Sequence, residues 1–188
     1  MRAILTAALC IGLLSTAAAV PIRPDPDRTP GIADKAITEK NYRTVLCADE
    51  NGNKIHTTDE KRPTTAYTTG VKVKQLKAWG YTDKVKGHYE EDHLISLELG
   101  GDDSDERNLW PQPYAGTWGA KTKDTLELEL GRRICLHRGD TNFLTLAQAR
   151  KIVAGDWITA YKEYVCKRTI PPARPLTKLM KAHCHQGK

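Results

Sequence analysis

Apolar residues recur with helical spacing in the last third of the chain. Between Leu146 and Val165 they fall on one face of a helix, and Thr145 with Gln148 matches the sequence of a capping box. This pattern predicts a long helix whose apolar face lies in the core. A shorter helix is predicted over Gly70 to Gly80, although an alternation within that segment also fits a strand.

Elsewhere apolar and polar residues alternate, as they do in half-buried strands. Tyr89 to Leu99 is predicted to form a strand that Gly100-Gly101 ends, and Asn108 to Pro111 a second short strand stopped by proline. Ala120 to Leu130 fits a helix better than a strand, and Arg43 to Cys47 fits a short strand. Helices and strands mixed in this order predict an α+β fold.

The ends of the chain differ in composition from its middle. Residues 1–19 combine a positive charge, a short apolar run and a small-residue exit, which is typical of a secretory signal cleaved after Ala19. No stretch reaches the ~20 apolar residues that a membrane-spanning helix requires, so we expect a secreted or periplasmic protein without a membrane span. The remaining chain is expected to form a Pro-rich extended lead-in over residues 20–40, a single domain over residues 41–166 and a basic tail over residues 167–188.

Cysteine usage agrees with export. An even number of cysteines in an exported chain predicts up to two disulfides, and three different pairings are open. The cysteines beyond the signal are Cys47, Cys135, Cys166 and Cys184.

Charge is distributed unevenly along the chain. The formal net charge is +6, but residues 167–188 alone contain six Lys or Arg and no acidic residue. Residues 90–107 contain eight Asp or Glu against one Arg, a local charge of −7. The tail can therefore attract polyanions, whereas the acidic segment favours cations.

Three short blocks carry a resemblance to a known family. Asp92-His93-Leu94-Ile95, Gly100-Gly101 and Asn108-Leu109 follow one another as strand, loop and strand, with a predicted helix next. This order resembles the ββα-metal, or His-Me finger, nucleases of the HNH type. The wider run, in which D-H-L-I-x-L-x-L-G-G leads to N-L-W-P-Q, is also similar to a group of small exported bacterial HNH-like proteins. The likeness extends from about Cys47 to Tyr164 and implies a small ββα-metal motif packed against additional helices.

The resemblance implies a role for each polar residue of the motif. His93 would activate the attacking water, Asn108 would orient its imidazole, and Asp92 would ligate one divalent metal, most suitably Mg²⁺ or Mn²⁺. In the family the helix supplies a second ligand, and the exported relatives tend to have Asn where this chain has Gly119. Glycine has no ligating side chain, so the candidate substitutes are Asp124, one turn into the helix, and a water held by the site.

Basic residues near the motif are the candidates for contacts with phosphate. Arg107, Lys121 and Lys123 are expected to compensate the acidic segment and to bind nucleic acid. Lys123 is also spaced to pair with Glu127 on the predicted helix.

These inferences together predict a metal-dependent endonuclease that hydrolyses phosphodiester bonds of DNA or RNA. The alternative is a catalytically inactive exported HNH-like protein that binds polyanions through its basic tail. The chain contains no G-x-S-x-G, H-E-x-x-H, P-loop or dinucleotide-binding motif, which argues against serine or zinc hydrolysis and against nucleotide-cofactor chemistry.

Overall fold

A computed structural model describes residues 21–48, residues 58–167 and Cys184. Within these residues the fold is mixed α and β, which confirms the α+β class. A two-stranded antiparallel sheet packs against one helix that precedes it and one that follows it. The helices and strands are α1 (Tyr42–Leu46), α2 (Thr58–Lys61), α3 (Thr65–Ala78), β1 (Tyr89–His93), β2 (Leu109–Pro113), α4 (Ala120–Ile134), α5 (Leu146–Ala154) and α6 (Trp157–Tyr161).

The first strand is shorter than its alternating pattern predicts. β1 pairs with β2 from Tyr89↔Pro113 to His93↔Leu109 and ends at His93. The apolar residues that follow form a 3₁₀ turn over Leu97–Leu99 instead of continuing the strand. The alternation does not distinguish the two structures, because Ile95, Leu97 and Leu99 are buried here as they would be in a strand. β2 continues past Pro111 to Pro113, since both strands of a two-stranded sheet are edges that tolerate proline.

The turn after the first strand depends on glycine. Gly100 ends the 3₁₀ turn with a φ of 66°, in the left-handed region. A Cβ atom on Gly101 would lie 1.8 Å from the backbone oxygen of Ile95. The Gly100-Gly101 pair therefore allows the chain to fold back against the end of β1.

Two predicted helices are observed, and a third is interrupted. α3 and α4 are helical, as preferred over strand. The capping box of Thr145 and Gln148 is present at the start of α5. However, the helix predicted to run to Val165 breaks after Ala154, because Asp156 accepts hydrogen bonds from the backbone of the next turn and starts α6 as a new N-cap.

The strand predicted over Arg43 to Cys47 is wrong, because this segment is the short helix α1. Tyr42 and Leu46, four residues apart, are both buried on one helical side. Arg43 donates to the last carbonyl groups of α4, including that of Ile134 at 3.1 Å. Tertiary contacts with α4 therefore favour a helix in a segment whose own pattern is too short to decide.

Part of the predicted lead-in contacts the loop between the strands. Ala33 forms a β-bridge with Gly101, and the backbone nitrogen of Gly31 donates to Arg107 O at 3.2 Å. Thr29 and Ile37 are buried. Residues 29–37 thus pack against the loop between the strands and form part of the domain.

Two disulfides join distant parts of the chain. Cys47 pairs with Cys135, which links α1 to the end of α4, and Cys166 pairs with Cys184. This selects one of the three pairings that the sequence left open. Among the described residues no helix has both the length and the apolar character needed to cross a membrane. The two disulfides fit an extracellular or periplasmic protein. The predicted signal over residues 1–19 and most of the basic tail lie outside the described residues.

The main core lies between α4, α5 and α6. Leu126, Leu130 and Trp157 are fully buried there, and Trp118 packs edge-on against Trp157 with ring centroids 6.0 Å apart. A second, smaller cluster of Leu76, Tyr81 and Tyr89 lies between α3 and the sheet. The sheet is therefore held on both sides, which fixes the end of β1.

Candidate functional site

A polar cavity of about 170 Å³ opens where β1 ends, beside the 3₁₀ turn and the first half of α4. Asp92, His93, Lys121 and Asp124, which the sequence singled out, lie together in its lining. Carboxylates outnumber cationic side chains there, so the cavity favours positive charge. The lining residues are Arg62, Glu90, Asp92, His93, Ser96, Leu97, Glu98, Lys121, Asp124 and Glu127.

His93 is the last residue of β1 and is only 5% exposed. Its Nε2 lies 2.8 Å from the backbone oxygen of Asp103. Because a carbonyl oxygen can only accept, Nε2 carries the hydrogen of the neutral ring and Nδ1 carries the lone pair. Burial lowers the pKa of His93, and the bond to Asp103 opposes that shift without reversing it. His93 is therefore set up as a neutral imidazole that can accept a proton at Nδ1.

Asn108 does not bond the imidazole, although the resemblance implies that it orients the ring. Its fully buried amide donates to Ile95 O at 3.0 Å and to Asp102 O at 2.8 Å, and accepts from the backbone nitrogens of Ile95 and Ile32. Asp102 directly precedes Asp103, whose carbonyl oxygen accepts the hydrogen bond from His93. Asn108 thus fixes the loop between the strands and positions the imidazole only through that loop.

Lys123 cannot bind nucleic acid, and that prediction is wrong. Its side chain is fully buried, and its Nζ donates to Asp92 Oδ2 at 2.7 Å and to His93 O at 2.7 Å. The expected pair with Glu127 is confirmed, since Nζ also donates to Glu127 Oε1. The ammonium is therefore enclosed between β1 and α4.

The charge of Lys123 is held by these neighbours. Burial by itself lowers the pKa of Lys123, but the carboxylates of Asp92 and Glu127 outweigh burial and hold the pKa above its ordinary value. Burial also raises the pKa of Glu127, against the opposing effect of Lys123. The result is a buried cation shared by the strand and the helix.

Lys121 is the predicted cation that is both accessible and part of the cavity lining. Its side chain is 70% exposed, and Nζ lies 3.2 Å from Glu90 Oε2 and 3.1 Å from Asp124 Oδ2. The ammonium also lies 5.7 Å from the ring centre of Tyr114. Exposed ion pairs of this kind are weak, so these contacts hold Lys121 only loosely.

Arg107 is exposed but lies outside the cavity lining. Its Nη2 pairs with Asp105 Oδ2 at 2.6 Å, on the loop that leads into β2. Arg62, which the sequence analysis did not single out, lines the cavity instead. It stands far from the motif in sequence, so only the tertiary fold brings it to His93.

The lining fits a divalent metal poorly. Asp92 and Asp124 share the cavity, as the metal prediction requires, and their oxygens are of the type that Mg²⁺ prefers. However, Lys123 holds one oxygen of Asp92, and Lys121 pairs with Asp124. Across residues 21–48 and 58–167, no three His, Cys, Asp or Glu side chains are grouped to hold a metal ion. Mg²⁺ or Mn²⁺ stays a prediction that these contacts do not favour.

The local backbone leaves no space for a side chain at Gly119, so this position has a structural reason to be glycine. It is the N-cap residue of α4, and a Cβ atom there would lie 2.3 Å from the backbone oxygen of Tyr114. Real Cβ atoms do not approach a backbone oxygen so closely. A side chain at this position would need a shift of the loop between β2 and α4.

The cavity brings a candidate base together with cationic side chains. The neutral imidazole of His93 lies at the end of β1, and Arg62 and Lys121 are accessible cations in the same lining. The ammonium of Lys123 is buried next to Asp92.

Comparison of the chain with protein-family models, with curated proteins and with solved structures finds no match.

Proposed function

We propose that the cavity is the active site of an endonuclease that hydrolyses phosphodiester bonds of nucleic acid. The observation that carries this proposal is the bond from His93 Nε2 to Asp103 O, which leaves Nδ1 to accept a proton. A general base in a phosphodiesterase must remove a proton from water near neutral pH. A neutral, fixed imidazole that lines a polar cavity meets this requirement.

In the proposed reaction, His93 Nδ1 takes a proton from a water molecule as the water oxygen attacks phosphorus. The new phosphorus–oxygen bond forms while the bond to the leaving nucleotide oxygen breaks. That oxygen takes up a proton from solvent, and His93 later releases its own proton to solvent. Lys121 and Arg62 are the cavity cations that can bind the phosphate oxygens as negative charge develops.

The cavity lining contains fewer cationic than acidic side chains. Four carboxyl groups line the cavity and would repel a phosphate bound there, those of Glu90, Glu98, Asp124 and Glu127. Binding therefore depends on Lys121 leaving its two carboxylates for the substrate. Among the residues that the structure describes, no base-reading element accompanies these cations, so little sequence selectivity is expected.

The test compares purified protein, with disulfides intact, and two variants on supercoiled plasmid and on single-stranded RNA. Each reaction is run with Mg²⁺, with Mn²⁺ and with EDTA. His93→Ala should reduce the cleavage rate by about 10²–10⁴-fold, the usual contribution of a general base. His88→Ala is the matched control, because His88 is exposed and pairs with Asp83 away from this cavity.

Two outcomes would contradict the proposal. Equal cleavage by His93→Ala and the parent protein would show that His93 is not the base. An absence of cleavage on both substrates under all three conditions, by a protein with native circular dichroism, would show that the cavity is not a nuclease site. The polyanion-binding alternative would then be examined by the salt dependence of binding.

A further inference from the structure

We propose that the ammonium of Lys123 takes the place of a divalent cation at Asp92, so that the site works with a built-in cation and excludes metal. Its catalytic meaning rests on the proposed nuclease function. Its statement about metal binding does not, and can be tested separately.

The bonds of Lys123 are complete. An ammonium has three hydrogens, and Nζ has three oxygen acceptors, on Asp92, His93 and Glu127. Two of these acceptors belong to β1 and one to α4. The side chain is fully buried, so neither water nor substrate competes for these bonds. This is a dedicated cation position rather than a lysine that happens to lie near acids.

A divalent ion at Asp92 would have to displace this ammonium or lie beside it. A second cation within a few ångströms of the ammonium is strongly repelled, because little solvent screens the charges there. Displacement would leave the ammonium of Lys123 buried without its partners. The free-energy cost of an unpaired buried charge exceeds the stabilisation that the ion pair provides. We therefore expect Asp92 to stay paired with Lys123 rather than to bind a divalent ion.

The same contacts make Lys123 a positioning residue for the base. Its bond to the backbone oxygen of His93 fixes the last residue of β1 to α4. Because the ammonium is enclosed, it does not touch substrate. Its fixed positive charge lies next to Asp92 and Glu127, which both line the cavity. This charge partly offsets the negative charge of the cavity and so reduces the repulsion of phosphate.

The experiment measures Mn²⁺ binding by titration calorimetry and by paramagnetic broadening of the His93 ring resonances. It uses the full mature protein, Lys123→Gln and the charge-keeping control Lys123→Arg. The parent protein and Lys123→Arg should show no saturable binding and no selective broadening at His93. Lys123→Gln should gain Mn²⁺ affinity by about 100-fold, because removing one unit charge a few ångströms away is worth that much in a poorly screened site.

The outcomes separate this inference from the proposed function. Saturable Mn²⁺ binding at His93 in the parent protein would overturn the inference, whatever the nuclease assay shows. A folded Lys123→Gln variant without any gain would also overturn it, since a merely structural lysine predicts that result. If Lys123→Gln does not fold, the parent titration alone decides. A parent protein that binds no Mn²⁺ and cleaves nothing would retain the inference and remove the nuclease.

The cleavage assay adds a third readout. Cleavage by the parent protein should proceed in EDTA at a rate within about twofold of that in Mg²⁺, a difference well below one tenfold step in rate. Loss of all cleavage in EDTA, restored by Mg²⁺, would show that a metal acts in the site and would overturn the built-in cation.

Discussion

The imidazole of His93 and the carbonyl of Asp103 meet at 2.8 Å across the loop that joins the two strands. The bond fixes which ring nitrogen carries the hydrogen, and therefore which nitrogen can act as a base. The loop is itself held by Asn108, whose buried amide bonds Ile95 and Asp102. The chemistry of the site thus depends on the backbone of a loop as much as on its side chains.

Replacing Asn108 should loosen this loop. Asn108→Ala leaves several buried backbone groups without partners and should lower the free energy of unfolding by roughly 2–4 kcal/mol. Chemical denaturation measures this loss. Cleavage should fall mainly through kcat, because the base is misplaced while the cavity cations remain. A change confined to KM would contradict this role, and Asn142→Ala, on a surface turn, serves as the control.

Introducing an Asn at the position of Gly119 should not create a metal ligand. Gly119→Asn places a Cβ atom against the backbone oxygen of Tyr114 and should destabilise the protein by about 1–3 kcal/mol. Gly70→Ala is the control, because a Cβ atom there meets nothing within 4 Å and the helix should gain about 0.5–1 kcal/mol. Thermal unfolding with and without Mn²⁺ checks both. A Gly119→Asn variant of parental stability that Mn²⁺ stabilises further would refute this expectation.

The pH dependence of cleavage should reflect the burial of His93. Its base form is neutral, so activity is lost as pH falls through its pKa, which burial holds below the ordinary value of 6.5. The acidic limb of kcat/KM should accordingly have a midpoint below pH 6.5. An acidic limb centred above that value would argue against His93 as the titrating base.

Lys121 should govern substrate affinity. Lys121→Ala removes an accessible cation from the cavity, so binding should weaken and the slope of log Kd against log salt should decrease by about one. Lys151→Ala, an exposed lysine of α5, is the matched control and should leave the slope unchanged. Fluorescence anisotropy with a labelled oligonucleotide at several salt concentrations provides the measurement. Equal slopes for both variants would place the phosphate elsewhere.

Glu91 should make the fold less stable as pH rises. It is 6% exposed, and among the described residues neither carboxyl oxygen has a hydrogen-bond partner. Burial raises the pKa of Glu91 from 4.5 to about 9, so the folded state keeps a proton that the unfolded state releases.

The free energy of unfolding should therefore fall between about pH 4.5 and pH 9, because the unfolded state binds fewer protons there. Glu91→Gln removes this titration and should flatten that part of the profile. Urea unfolding across this pH range compares the two proteins. An unchanged slope in Glu91→Gln would show that the carboxyl is ionised in the folded protein.

Local patterns predicted much of the fold. The capping box at Thr145 and the helix from Ala120 rest on interactions between neighbours in sequence, which a short window contains. The same window overextended β1 beyond His93 and missed the break after Ala154. After His93 the chain enters the turn at Leu97–Leu99, and after Ala154 Asp156 caps a new helix. Apolar spacing continues through both places, and spacing alone does not record a change of backbone direction.

Some features of the candidate site also follow from the sequence, and others depend on the tertiary structure. The sequence by itself determined the Asp-His pair, the acidic segment and the supply of cysteines for two disulfides, because these are properties of composition and order. Only the tertiary structure decided that Lys121 faces solvent while Lys123, two residues later on the same helix, is enclosed. Burial of an ammonium becomes favourable only where folding brings carboxylates to it, and Asp92 comes from a strand 31 residues away.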